Sequence, residues 1–188
     1  VYMRLDAGGN ILWQKAIDVS GSSYLHASSI LEYNNEFYLM GSSGGGAQIY
    51  TLKIDGNGNR LWMKKLRFGS IEHGMRQIVG NNGKIYGCGT TTAFGGSEQG
   101  VVYQIEPSNG NIDWVKTYNN YSGSDFYYSI NKTPDNNIIL TGASAAGNIV
   151  TKIDYAGNII WNKYFNQSGS EFGDEIMVSS DGSLYMAG

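Results

Sequence analysis

Residues 53–62 read KIDGNGNRLW, and Asp55, Asn57 and Asn59 stand in the D-x-N-x-N spacing of a calcium loop. Such a loop needs Gly at its sixth position and a bidentate Glu at its twelfth. Counted from Asp55, those positions hold Arg60 and Leu66. The competing reading is a turn between two strands, in which the Asp side chain accepts turn N–H groups and Gly58 takes a left-handed conformation. The rest of the chain decides between them, because the stretch occurs four times.

The copies are RLDAGGNILWQK (4–15), KIDGNGNRLWMK (53–64), QIEPSNGNIDWVK (104–116) and KIDYAGNIIWNK (152–163). Their tryptophans, Trp13, Trp62, Trp114 and Trp161, are 49, 52 and 47 residues apart. Even D-x-N-x-N is lost in the other copies, whereas a turn glycine recurs as Gly9, Gly58, Gly110 and Gly157. No metal site is therefore expected. A second line recurs as EFYLMG, KIYGCG, NIILTG and SLYMAG, ending in Gly41, Gly89, Gly142 and Gly188.

Each unit reads as four strands. Strand C (50–55) alternates polar and apolar residues, as a half-buried strand does. Strand D (59–66) carries the Trp. Strand A (near 75–79) follows a Gly-Ser loop, and strand B (84–89) is apolar almost throughout. The A–B turns hold Asn34-Asn35, Asn82-Gly83, Asn136-Asn137 and Asp181-Gly182, residues that tolerate positive φ. Four-stranded units every 40–50 residues predict an all-β fold, a β-propeller of antiparallel blades. One domain spans 1–188, with repeats starting near 1, 50, 101 and 149. The chain opens on C–D and closes on A–B. Either the two ends complete one mixed blade of a four-blade ring, or the chain is an open arc from a larger propeller in a longer protein with other domains.

The element D-x-x-G-N-x-x-W resembles the repeat of quinoprotein-like (pyrroloquinoline-quinone-repeat) propellers. The longer pattern, K-I-D-x-x-G-N-x-x-W-x-K, then G-S-x-[DE], then D-G-x-x-Y-x-x-G, resembles still more the propeller repeats of secreted and cell-surface bacterial proteins. The resemblance implies that the Trp docks between blades. It also implies an extracellular, cell-surface or periplasmic setting and a role in adhesion or as a scaffold. No quinone-ligating set accompanies it, and no cofactor is expected.

The remaining residues separate architecture from candidate chemistry. Trp13, Trp62, Trp114 and Trp161 recur at one structural position, which favours packing between blades over stacking on a ligand. The lysines two residues on (Lys15, Lys64, Lys116, Lys163) would cover the rings with their stems. The D–A loops are the candidate ligand surface, with Ser22, Ser70, Glu72, Ser124, Asp125, Ser170 and Glu171 sharing a face with the Gly-rich B–C loops. Such a face suits a glycan or a cation. No catalytic set is legible. Of two histidines, neither His26 nor His73 lies near a nucleophile motif, and Cys88 is read as a buried, inert thiol.

Composition agrees. The 188 residues include 27 Gly, 2 Pro and 14 Tyr, and only 15% are charged, which suits a turn-rich β protein. A net charge of −3 argues against nucleic acid as a partner. No apolar run is long enough to insert in a membrane. The expected partner is a protein or a glycan, and the expected activity is binding without catalysis.

Overall fold

The computed structural model describes residues 1–17, 25–43, 48–69, 72–93, 97–118, 123–165 and 172–188. Among the described residues every element is a strand. A first hairpin, β1 (Tyr2–Leu5) and β2 (Ile11–Lys15), forms a two-stranded sheet. Three four-stranded antiparallel sheets follow. The first is β3 (Leu25–Tyr33), β4 (Glu36–Ser43), β5 (Ile49–Ile54) and β6 (Arg60–Leu66). The second is β7 (Glu72–Val79), β8 (Ile85–Thr91), β9 (Gln99–Ile105) and β10 (Ile112–Tyr118). The third is β11 (Phe126–Lys132), β12 (Ile138–Ser144), β13 (Gly147–Ile153) and β14 (Ile159–Phe165). A last hairpin, β15 (Glu175–Val178) and β16 (Leu184–Ala187), is again a sheet by itself. Within each complete sheet the strands pair in chain order, so β3, β7 and β11 are the A strands and β6, β10 and β14 the outer D strands.

Turn chemistry sets these boundaries. In the C–D turn Asp55 Oδ1 accepts the N–H of Asn57 (2.9 Å) and Asn59 (2.8 Å), and Asn59 Nδ2 donates to Oδ2 (2.9 Å). The Asp55 carboxylate is spent on the turn. Gly9, Gly58, Gly110 and Gly157 have φ of 83, 75, 73 and 78°, a region L side chains avoid. At the A–B turns Asn34, Asn35 and Asn136 have φ of 55–60°, as their sequence predicts.

The A strands of the three complete sheets are longer than the sequence predicts, and each carries a bulge. Register shifts occur at Ala27/Ser29, Gly74/Arg76 and Tyr127/Ser129. Each lies opposite the recurring glycine of strand B: Ala27 faces Gly41, Gly74 faces Gly89 and Tyr127 faces Gly142. The bulge pushes a backbone carbonyl, that of His26, His73 or Phe126, onto the glycine Cα, where a Cβ would overlap it.

The sheets pack face to face. One cluster joins Tyr38, Met40 and Ile49 to Ile85, Tyr103 and Ile105, and a second joins Tyr86, Cys88 and Val102 to Tyr127, Ile138 and Leu140. Strands β8 and β9 are buried along their whole length, as central strands covered on both faces must be. Each buried aromatic adds roughly 1.5–3 kcal/mol of hydrophobic stabilisation. The two end hairpins form separate sheets and do not pair with each other, so the mixed blade expected for a four-blade ring is not formed.

The turn carboxylates tie stability to pH. Hydrogen bonds from the Asn59 backbone and side chain hold Asp55 below its ordinary value, and donation from Asn10 does the same for Asp6. The Lys152 ammonium, 2.6 Å away, and the Thr133 hydroxyl bring Asp135 down from 3.8 to about 2. A folded-state pKa below the unfolded one gives stability that is present above the unfolded value and lost as pH falls through the folded one. The thermal midpoint is therefore expected to be flat from pH 7 to 5 and to fall between pH 4 and 2. Asp135→Asn should flatten part of that fall, measured by circular dichroism.

Candidate functional site

The loop face gives a different picture from the sequence expectation. Ser22, Ser70, Ser170 and Glu171 lie outside the described residues. Of the other three candidates, Ser124 is half-buried, while Glu72 and Asp125 are 0% and 1% exposed. Glu72 opens β7, and its Oε1 accepts the N–H of Phe68 and of Gly69. The Ile49 N–H at the start of β5 also donates to this carboxylate, which ties the loop to the preceding sheet. Burial pushes the Glu72 carboxyl above its usual pKa, against these donors. Asp125 holds the equivalent place one sheet on. Its N–H donates to Glu98 O (3.0 Å), and its carbonyl accepts the Thr90 hydroxyl (3.5 Å). The two acids expected to line an open ligand surface are thus inside the junction between sheets. The Glu72 carboxylate can stay there because it satisfies loop N–H groups that would otherwise be orphaned.

The cysteine is equally withdrawn, whereas His26 is exposed and His73 half-buried. The Cys88 thiol is fully buried and pushed up to about 12 by desolvation, so it carries almost no thiolate at neutral pH. His26 and His73 occupy the same register position on two different A strands, opposite Ser42 and Thr90. Among the described residues, no three of His, Cys, Asp and Glu cluster as metal ligands would.

The opposite end of the sheets, where C–D and A–B turns lie side by side, carries a repeated device. Trp13 Nε1 donates to Gly56 O (3.2 Å), a carbonyl in the C–D turn of the next sheet, and Trp62 Nε1 donates to Pro107 O (3.1 Å), the equivalent carbonyl one sheet further. The same carbonyls accept from strand C of the preceding sheet: Arg4 Nη1 reaches Gly56 O (3.1 Å) and Lys53 Nζ reaches Pro107 O (3.2 Å). Gln104 Nε2 reaches Tyr155 O in the third instance (3.2 Å).

The lysine after each Trp completes the device. Lys15, Lys64 and Lys116 bond Asn59, Asn111 and Asn158 at 2.8, 3.3 and 2.9 Å. Lys15 and Lys116 also lie 5.9 Å from the centroids of Trp13 and Trp114. The indoles press on the turn glycines so closely that a Cβ at Gly58 or Gly110 would come within 2.8 Å of Trp13 or Trp62, and one at Gly157 within 3.0 Å of Trp114. The sequence singled out Trp, Lys and Gly. It did not reveal that the Asn after the Gly belongs with them, although that Asn recurs in all four copies.

The depressions between sheets, among the described residues, include three near the features above. One of about 220 Å³ lies beneath the first hairpin, lined by Val1, Ile17, His26 and Leu39. One of about 430 Å³ lies around Lys53, Lys84 and Pro107. A third of about 390 Å³ is bounded by Pro134, Lys152, Trp161 and Gly182.

A scan against protein-family models finds no match, and neither does a search of curated proteins. Among solved structures the chain is similar to one described as a crystal structure of the eukaryotic initiation factor, with a TM-score of 0.55 and 15% identity. The superposition covers 85% of this chain and 36% of that one, so the chain spans little more than a third of its length. At this identity the similarity is one of fold. Strand order, repeated sheets and structural similarity together make this an all-β fold consistent with β-propeller blades, with three four-stranded and two two-stranded sheets among the described residues.

Proposed function

We propose that the chain is a non-enzymatic binding and scaffold module of a secreted or cell-surface protein, of the bacterial quinoprotein-like repeat type, with the periplasm as the alternative compartment. The observation that supports this reading most is on the outer rim. At the start of each D strand, apolar side chains stand exposed at matching positions: Ile11 and Leu12, Leu61, Ile112, and Ile159 with Ile160. Exposed apolar groups repeated along an outer edge suit a protein partner. The recurring polar residues are meanwhile consumed in holding blade to blade, and Glu72, Asp125 and Cys88 are inside. The resemblance of the repeat to secreted and cell-surface proteins supports the compartment.

The test is binding of the purified chain to an immobilised panel of extracellular matrix proteins. Capture is expected and should fall at least tenfold with Leu61→Lys and Ile160→Lys combined, while stability changes by less than about 1 kcal/mol, as for exposed sites generally. Turnover in a hydrolase and dehydrogenase panel, abolished by substitutions in the D–A loops, would contradict the reading. A glycan or cation site on those loops would instead have to use Ser22, Ser70, Ser124, Ser170 or Glu171, since Glu72 and Asp125 are enclosed.

A further inference from the structure

The outer strands of the three complete sheets share their packing but not their charge. Residues 60–67, strand β6 and the residue after it, read RLWMKKLR and carry Arg60, Lys64, Lys65 and Arg67, four of the chain's 13 Lys and Arg. No Asp or Glu occurs between Asp55 and Glu72. The equivalent strands hold far less charge. In β10, Lys116 is offset by Asp113, and β14 has Lys163 alone. Covering the tryptophan takes only the one lysine two residues on, which all three strands possess. Arg60, Lys65 and Arg67 are therefore extra to the architecture.

These three side chains are exposed, and among the described residues none of the four cations is in an ion pair. The carboxylates around them are committed elsewhere. Asp55 is bound to Asn57 and Asn59 within its own turn. Glu72 attracts Arg67 but is 0% exposed, with its carboxylate turned to loop N–H groups. Glu106 and Asp113, on the next blade, both accept from Lys84, at 2.5 and 2.8 Å. Lys64 donates to a neutral amide, that of Asn111. Four like charges within eight positions repel one another, and an anionic partner would remove that cost.

Strand β6 also has an open edge. It ends its sheet, pairing with β5 on one side, and alternate residues of an edge strand direct N–H and C=O outward. Leu61, 50% exposed, lies on the same side of the strand as Lys65, because side chains alternate with a period of two. Lysines on an edge also guard against unwanted pairing. Yet β10 and β14 leave Ile112, Ile159 and Ile160 exposed with one lysine each, so guarding does not account for the run on β6. We infer that β6 takes an extended acidic segment of another protein as an added strand. Main-chain bonds along the open edge hold the segment, one of its apolar side chains covers Leu61, and its carboxylates at alternate positions meet Lys65 and Arg67. The inference rests on the reading that the outer rim binds a protein, and it adds the blade used and the partner's chemistry.

The probe is a fluorescent, end-blocked peptide of alternating Glu and Val, titrated into the 188-residue chain. Saturable binding is expected, with amide hydrogen exchange slowed within residues 60–67. Lys65→Glu with Arg67→Glu should weaken binding by about tenfold or more. Lys132→Glu with Lys163→Glu makes the same change of net charge at two other exposed lysines and should alter binding by less than about threefold. N-methylation of alternate peptide amides keeps the peptide's charge and should abolish binding, a result that needs no variant to fold. No binding at about 1 mM peptide, the weak end of the affinity scale, would overturn the inference. So would an N-methylated peptide that binds as well, or equal losses in the two charge-reversed chains, since either would leave attraction between charges and no added strand. Heparin bound through Lys65 and Arg67, with the peptide unbound, would overturn it in favour of an acidic glycan. Matrix-protein capture that needs Leu61 and Ile160 yet survives Lys65→Glu with Arg67→Glu would overturn this inference and leave the binding role of the rim standing.

Discussion

Gly142→Ala is expected to destabilise the protein by about 3 kcal/mol or more, among the larger effects a single methyl group produces. An alanine Cβ there would overlap the Phe126 carbonyl oxygen and approach Tyr127 Cα within 2.9 Å. Both are backbone atoms on the bulged A strand, in a buried junction, and neither can swing aside as a side chain would. Relief requires the bulge to shift, which breaks the register from Phe126 to Lys132. Gly56→Ala is the built-in control. Nothing lies within 4 Å of that Cβ and its φ is ordinary. The same turn position holds Ala7, Pro107 and Tyr155 in the other copies. Urea unfolding should give a change within about 1 kcal/mol for Gly56→Ala, on the stabilising side.

Trp62→Ala should cost about 3 kcal/mol, the lower part of the range for a large aromatic, because the ring is only partly buried. It loses its contact with Gly110, its edge-on packing with Tyr38 at 6.0 Å and its bond to Pro107 O. Trp62→Phe keeps most of the packing and forfeits the N–H bond. It should cost about 1 kcal/mol, the net worth of one such bond, since Lys53 still donates to Pro107 O. Denaturant melts of both variants separate the two contributions.

The repeat made the fold legible in the sequence. The Asn-Gly and Asp-x-x-Gly turns fix where strands end, and the apolar run Ile138–Leu140 marks a strand covered on both sides. The recurring Gly142 was visible too, but its cause was not. A bulge in strand A is a relation between two strands some fifteen residues apart, and neither strand alone encodes it. The loop acids misled for a related reason. Glu72 and Asp125 follow Gly-Ser, which reads as exposed loop, yet each stands buried at the entry of an A strand, where Glu72 accepts loop N–H groups. The Asn of the device was part of the recurring motif, but its role was not legible because the residue it serves, a lysine on the preceding blade, is more than forty positions away.

That device is what joins one blade to the next, and a double-mutant cycle on Trp62 and Gly110 tests it most directly. Gly110→Ala alone carries two penalties: the strain of an alanine at φ 73° and the collision of its Cβ with Trp62 and the Lys64 stem at 2.8 Å. In the Trp62→Ala background the indole is gone and mainly the φ strain remains. The cost of Gly110→Ala should therefore fall by about 1–2 kcal/mol, within the range found for residues in contact. An unchanged cost in the two backgrounds would mean that the indole does not press on the turn, and the account of how these blades are joined would be contradicted.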